Sequence, residues 1–167
     1  NQGIMEFGAI QCAPKKPYCL HCPLNDSCKA LQNSQVHVLP VKLKKGKVKK
    51  RYFHYVVPLD SNGDTFLEQR LGTGLWQNLY QFPLIENPTD KAIGSAEIEK
   101  LFPDINIGRI EKYNEVPIVH KLSHQHLHTT FWIVHLEGVL PKGIPWASLP
   151  DFAVPVLLAD FIKTYKI

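Results

Sequence analysis

The residues best equipped for chemistry are four cysteines, Cys12, Cys19, Cys22 and Cys28, all within the first 28 positions of a 167-residue chain. Their spacing is C-x6-C-x2-C-x5-C. Four thiolates this close in sequence can surround one metal centre without help from distant chain. Two disulfides would use the same residues, but nothing in the sequence suggests secretion, and cytosolic thiols stay reduced. A structural zinc site usually comes as two paired knuckles, whereas only Cys19 and Cys22 form a tight pair here. The unequal spacing suits the separated corners of an iron–sulfur cubane better; zinc stays open as the alternative. Between the first two cysteines lies Ala13-Pro14-Lys15-Lys16-Pro17-Tyr18. Two prolines stiffen this loop, and Lys15 and Lys16 bring two ammonium groups suited to phosphate. Two lysines that simply face water are the plainer alternative.

A second polar cluster runs His120-Lys121-Leu122-Ser123-His124-Gln125-His126-Leu127-His128 and holds four of the eight histidines. A strand would put His124, His126 and His128 on one face. That face is either solvated or a metal site, and no carboxylate ligand lies close in sequence. Two carboxylates elsewhere, Glu97 and Glu99, stand two residues apart. On a helix they point about 200° from each other and cannot share an ion. Trp76, Trp132 and Trp146 are read as core or rim aromatics.

The elements that position these residues follow from periodicity. Residues 1–11 predict a short helix with an apolar stripe of Ile4, Phe7 and Ile10, which needs a partner. Asn25 or Asp26 can cap a last helical turn running to about Asn33. Residues 34–50 read as a linker. Tyr52–Leu59 is a strand, Asp60-Ser61-Asn62-Gly63-Asp64 a turn, and Thr65–Arg70 the returning strand of a β-hairpin. A short strand is expected near Gln81–Phe82, and an amphipathic helix over 89–102. Further strands are expected over Ile105–Val116 and within Lys121–Leu136. A closing helix is expected over Asp151–Ile167, with Pro155 in its first turn. Interleaved strands and helices over residues 51–167 make an α+β or α/β domain large enough to bury its own core.

Composition narrows the class. Apolar residues are 44% and charged residues 20%, which excludes wholesale disorder. No apolar run reaches the roughly 18 residues of a membrane span. The chain starts at Asn1 without a signal-peptide pattern, so the sequence reads as a fragment or processed product, cytoplasmic and without a membrane partner. The net charge of +4 is segregated: residues 41–51 carry six lysines and Arg51 with no acid, whereas residues 52–167 hold 9 basic against 13 acidic side chains. An acidic domain with a basic tether is the result. The tether is either a soluble linker or a set of charges that follows a phosphate backbone.

Cys12, Cys19, Cys22 and Cys28, at C-x6-C-x2-C-x5-C, resemble the cluster motif of the helix-hairpin-helix DNA glycosylases. Asn1-Gln2-Gly3-Ile4-Met5-Glu6-Phe7-Gly8-Ala9 resembles the preceding helix in the adenine glycosylase (MutY) branch. The resemblance implies a 4Fe–4S cluster held by the four cysteines, which positions Lys15 and Lys16 for DNA. Residues 66–84, with Arg70, Gly74-Leu75-Trp76 and Phe82-Pro83, resemble the Nudix fold. The Glu-rich helix of true Nudix hydrolases is absent, as in the catalytically silent Nudix-like domain of adenine glycosylases.

The resemblance therefore implies three parts: residues 1–33 as the cluster-bearing tail of a helix-hairpin-helix glycosylase domain, 34–50 as a basic linker, and 51–167 as a Nudix-like (MutT-like) domain. That domain is expected to be an α+β fold, an α/β/α sandwich with a mixed sheet. It also implies that Leu122-Ser123-His124 stands where the family carries a Phe-Ser-His loop that contacts 8-oxoguanine, with leucine in place of the aromatic. The expected function is that of the C-terminal part of an adenine DNA glycosylase in base excision repair. Its partners would be duplex DNA containing 8-oxoguanine:adenine or G:A mispairs and the N-terminal glycosylase domain. The family's catalytic Glu and Asp lie upstream of Asn1, so the chain alone is expected to be inactive. A stand-alone Nudix-type nucleoside diphosphate hydrolase with a zinc-binding tail is the alternative.

Overall fold

The computed structural model describes residues 1–39, 41 and 48–167. They divide into two compact units, residues 1–46 and 47–167. In the first unit α1 (Gln2–Gln11) leads through two 3-10 turns, Cys19–His21 and Asn25–Ser27, into α2 (Lys29–Gln32). The expected stripe on α1 lies open, with Ile4 at 76% and Ile10 at 69% exposure. The lysines Lys42, Lys44, Lys45 and Lys47 of the expected linker lie outside the described residues.

The second unit comprises β1 (Lys49–Leu59), β2 (Asp64–Thr65), β3 (Glu68–Gln69), β4 (Tyr80–Gln81), β5 (Leu84–Asn87), α3 (Ser95–Glu99), β6 (Asn106–Lys112), β7 (Ile118–Lys121), β8 (Gln125–Glu137), β9 (Ile144–Pro145) and α4 (Val156–Thr164). The main sheet has the order β5-β1-β8-β6, with β7 also paired to β8. β1 and β8 run parallel from Lys49↔Gln125 to Leu59↔His135. All other pairings in this sheet are antiparallel, so the sheet is mixed. β8 is the organising strand: β1 covers one edge along its length, while β7 takes the first half of the other edge and β6 the second.

Side chains alternate along β1 and β8, which fills a core on each side of the sheet. Phe53, Tyr55 and Val57 join Leu127, Phe131 and Ile133 under α4, whose Leu157, Leu158, Phe161 and Ile162 are buried. Phe131 and Phe161 stack with ring centres 4.0 Å apart. On the opposite face Val56, Val134 and Leu136 meet Ile93, Ile98 and Phe102, from α3 and its flanks. The layers are those of an α/β/α sandwich, as expected.

Several elements differ from the sequence expectation. Thr65–Arg70 does not return along β1. β8 occupies one edge of β1 along its length and β5 the Tyr52–Tyr55 part of the other, while Pro58 has no N–H to offer a ladder in the remainder. The returning segment instead splits, β2 pairing with β9 and β3 with β4. The 89–102 helix shrinks to α3, because Gly94 caps it and Pro103 ends the segment. The Ile105–Val116 strand stops at Lys112, since beyond it a side chain, Asn114, takes over bonding to β8. The closing helix starts only after Pro155, preceded by a 3-10 run over Trp146–Asp151. β1 begins at Lys49, so Lys49 and Lys50 belong to the sheet. Among the described residues no helix is long and apolar enough to cross a membrane.

Candidate functional site

In the first unit each cysteine sits at a turn boundary. Cys12 ends α1, its N–H donating to the Gly8 carbonyl at 3.0 Å. The Tyr18 N–H returns to the Gln11 carbonyl at 3.0 Å and folds the proline-lysine loop back on itself. Short turns then link Cys22 to Cys19, Asn25 to Cys22 and Cys28 to Asn25 at 3.1–3.2 Å, and Cys28 precedes α2. This succession brings all four thiols, none in a disulfide, around one cavity of about 30 Å³, with Gln11, Asn25 and Leu31 completing its wall. Among the described residues no group of three or more His, Cys, Asp or Glu is arranged to hold a single metal ion. A multinuclear centre, whose ligands bind separate corners, asks for a wider spread of sulfurs than one ion does. Lys15 and Lys16 are exposed at the loop tip.

In the second unit Leu122, Ser123 and His124 form the turn between β7 and β8. The Leu122 N–H donates to the Gln125 carbonyl at 2.8 Å, which closes the hairpin. The Lys49 N–H donates to the His124 carbonyl at 3.0 Å, which ties the turn to β1. Leu122 is half-buried against the main core, so its side chain anchors the turn. Ser123 and His124 are exposed, on a backbone held by those two hydrogen bonds. The expected histidine face is only part-formed. His126 and His128 share the face of Trp132, His124 stands in the turn, and His120 faces the other way, 5.9 Å from the Trp76 ring.

Two supports of this hairpin come from outside it, and the first, Asn114, carries no sequence signal of its own. Asn114 donates from Nδ2 to the carbonyls of Val116 (2.9 Å) and Thr129 (3.0 Å), and its Oδ1 accepts the Phe131 N–H at 2.8 Å. It splices the entry of β7 onto β8. The second support is the Gly-Leu-Trp segment. Trp76 (φ 58°) and Asn78 (φ 66°) hold left-handed backbone, strained for non-glycine residues. Arg70 holds this loop closed: its Nε donates to the Leu75 carbonyl (3.1 Å) and its Nη1 to Gln81 (2.7 Å), while Gln81 in turn donates to Glu68 (2.9 Å). Trp76 thereby packs against Phe53 and His120, beneath the hairpin.

Electrostatics elsewhere in the unit is structural. Burial works against the Asp60 charge. Three backbone N–H groups outweigh it, from Leu140 (2.9 Å), Asn62 (2.8 Å) and Asp64 (2.9 Å), and hold the carboxyl below its ordinary range. Desolvation lowers His54, whose Nδ1 accepts the Trp132 indole N–H at 3.4 Å. Glu97 accepts the Gly94 N–H at 2.9 Å and closes the start of α3.

Residues 54–164 match the NUDIX domain family. The adenine DNA glycosylase of Buchnera aphidicola subsp. Schizaphis graminum is 31% identical over 175 residues, which cover 99% of this chain and 48% of that protein. That of Buchnera aphidicola subsp. Baizongia pistaciae is 30% identical over 135 residues, covering 80% of this chain and 36% of the relative. The Schizosaccharomyces pombe adenine DNA glycosylase is 50% identical over 36 residues, covering 22% of this chain and 8% of that protein. The chain thus spans about half, or less, of the length of these relatives. Among solved structures, the C-terminal domain of mouse MUTYH, in a complex with human PCNA, is similar with a TM-score of 0.49 and 18% identity, covering 68% of this chain and 85% of that one. The MutT protein of Methanosarcina mazei Go1 has a TM-score of 0.49 and 11% identity, covering 73% and 94%. With its match spanning β1 to α4, the chain belongs to the NUDIX domain family, and it shares homology with adenine DNA glycosylases over most of its length.

Proposed function

We propose that this chain is the damage-reading part of an adenine DNA glycosylase, which recognises 8-oxoguanine opposite adenine, and guanine opposite adenine, for base excision repair. The observation that carries the proposal is the hairpin turn, where a fixed backbone presents Ser123 and His124 to solvent. 8-Oxoguanine differs from guanine by an N7–H donor and an O8 acceptor. The Ser123 hydroxyl can accept from N7–H, whereas the N7 of guanine is itself an acceptor. A site built on such a bond discriminates far better than one built on shape. Leu122 holds the turn on the core and supplies apolar contact at its base.

Hydrolysis of the N-glycosidic bond belongs in this reading to the whole protein, with the base flipped out of the duplex. The chain alone releases no adenine. Cys12, Cys19, Cys22 and Cys28 would hold a 4Fe–4S cluster, which supplies cross-linking of the first unit; zinc is the alternative occupant. Their common cavity supports a shared centre, and their spread favours the cluster, since among the described residues they are not arranged around a single ion. The cysteine frame would then hold Lys15 and Lys16 towards the DNA backbone. The open stripe of α1 is covered by the rest of the glycosylase domain. The test is Ser123→Ala in the whole enzyme. The ratio of adenine excision opposite 8-oxoguanine to that opposite guanine is expected to fall by about tenfold, the value of one hydrogen bond of about 1.4 kcal/mol. An unchanged ratio refutes the assignment.

A further inference from the structure

We propose that Lys121, His126 and Lys50 form a phosphate-binding row, which carries consecutive phosphates of one nucleic-acid strand beside the Ser123–His124 turn. The pairings Lys121↔His126 and Lys50↔His126 place the three residues side by side on β7, β8 and β1. Register partners share a face, so all three point to the side of Tyr52, His54 and Trp132. With strands about 4.8 Å apart the row spans about 10 Å. Phosphates rise about 3.4 Å per nucleotide along one strand, so the row matches two to three of them. The next row, Tyr52 stacked on His128 with ring centres 5.0 Å apart, backs it.

Charge supports the same occupant. Residues 52–167 are acidic overall, yet no acidic residue occurs between Asp26 and Asp60 or between Glu115 and Glu137. Those two acid-free stretches are separated in sequence and become neighbours only because β1 and β8 pair in parallel. The ion pairs among the described residues are Arg51–Glu86, Arg109–Glu111, Lys112–Glu115 and His135–Glu111. Lys50 and Lys121 are exposed and take part in none of them. Arg51, by contrast, points to the opposite face and is neutralised there by a two-pronged bond to Glu86 at 2.6 Å. Lys50 and Lys121 thus stand together on one face as exposed lysines outside those ion pairs. An anionic polymer is the partner that such a row fits.

The part of the proposal that sets a particular base at the turn rests on the function proposed above, and the experiment separates the two. Binding of the 167-residue chain is measured by fluorescence anisotropy across a salt series, starting at about 50 mM. One duplex carries a single 8-oxoguanine:adenine pair and the other is undamaged. K50Q/K121Q is expected to weaken both equally and to cut the log–log salt slope by about 1.8, two phosphates' worth. Its deficit should then shrink about tenfold between 50 and 200 mM salt. K142Q, at the far end of the strands, should leave the slope unchanged. S123A should lower the preference for the damaged duplex and leave the slope alone. An unchanged slope in K50Q/K121Q, an equal loss in K142Q, or no binding to either duplex at low salt overturns the row. A wild-type chain without lesion preference, but with the slope change intact, overturns the proposed function and leaves the row standing.

Discussion

Replacing Asn114 by alanine isolates the splice that seats the β7–β8 hairpin. The substitution removes three hydrogen bonds, to the carbonyls of Val116 and Thr129 and from the N–H of Phe131. Phe131 and Thr129 are both fully buried, so their freed backbone groups lose a partner where water has poor access. The Val116 carbonyl, on an exposed residue, regains one from solvent. One orphaned buried N–H costs about 1–3 kcal/mol. Thr129 adds less, because a carbonyl tolerates under-satisfaction better. The total is about 2 kcal/mol, which for a domain of this size lowers Tm by about 8 °C. Trp76, Trp132 and Trp146 all lie in the second unit, so tryptophan fluorescence during heating reports on that unit alone. Asn114→Asp keeps the acceptor for the Phe131 N–H and should recover about half of the loss. A shift below about 2 °C, or an aspartate variant no better than alanine, refutes the reasoning.

Three further outcomes follow from the packing and the charges. Asp60 is held below its ordinary pKa, so its carboxylate stabilises the fold above about pH 4, and that stability is lost as the pH falls through the folded value; Asp60→Asn should flatten the acid limb of stability against pH, and an unchanged limb contradicts the cap. Phe161 stacks on Phe131 and meets Phe82, Trp146 and Tyr165, so Phe161→Ala should cost about 3–5 kcal/mol in urea unfolding. Iron and sulfide analysis of the protein, with a visible absorption spectrum, should find about four of each per chain if the cysteines hold a cluster; stoichiometric zinc without sulfide would replace that assignment.

The candidate site could be picked out locally, because its cysteines, and separately its Ser123-His124 pair, lie close together in sequence. The cysteine spacing needs only short turns to close, and the structure supplies one at each interval. An α+β or α/β domain followed from interleaved periods of two and 3.6, and the mixed sandwich from the resemblance of residues 66–84 to the Nudix fold. What failed were the inferences that depend on who else occupies an edge. Thr65–Arg70 has the pattern of a returning strand, but β5 takes the Tyr52–Tyr55 part of the edge opposite β8 and Pro58 interrupts the rest. Asn114 looks like any loop asparagine; its role exists only because the β6–β7 connection passes beside Thr129 and Phe131. The strained backbone at Trp76 is likewise paid for by Arg70, whose partners Leu75 and Gln81 are set by a closed loop.

By itself, then, the amino-acid order determined the close spacing of the four cysteines, the adjacency of Ser123 and His124, the acidic balance of residues 52–167 and the kind of fold. All of these depend on composition and on neighbours a few residues away. Only the tertiary structure decided that Leu122 faces the core while Ser123 and His124 face solvent, and that Lys50 lies beside His126 and Lys121. Strand register settles both, because a shift of one residue turns every side chain to the other face. That register is set by burial on both sides of β8, through contacts from residues far away in the chain.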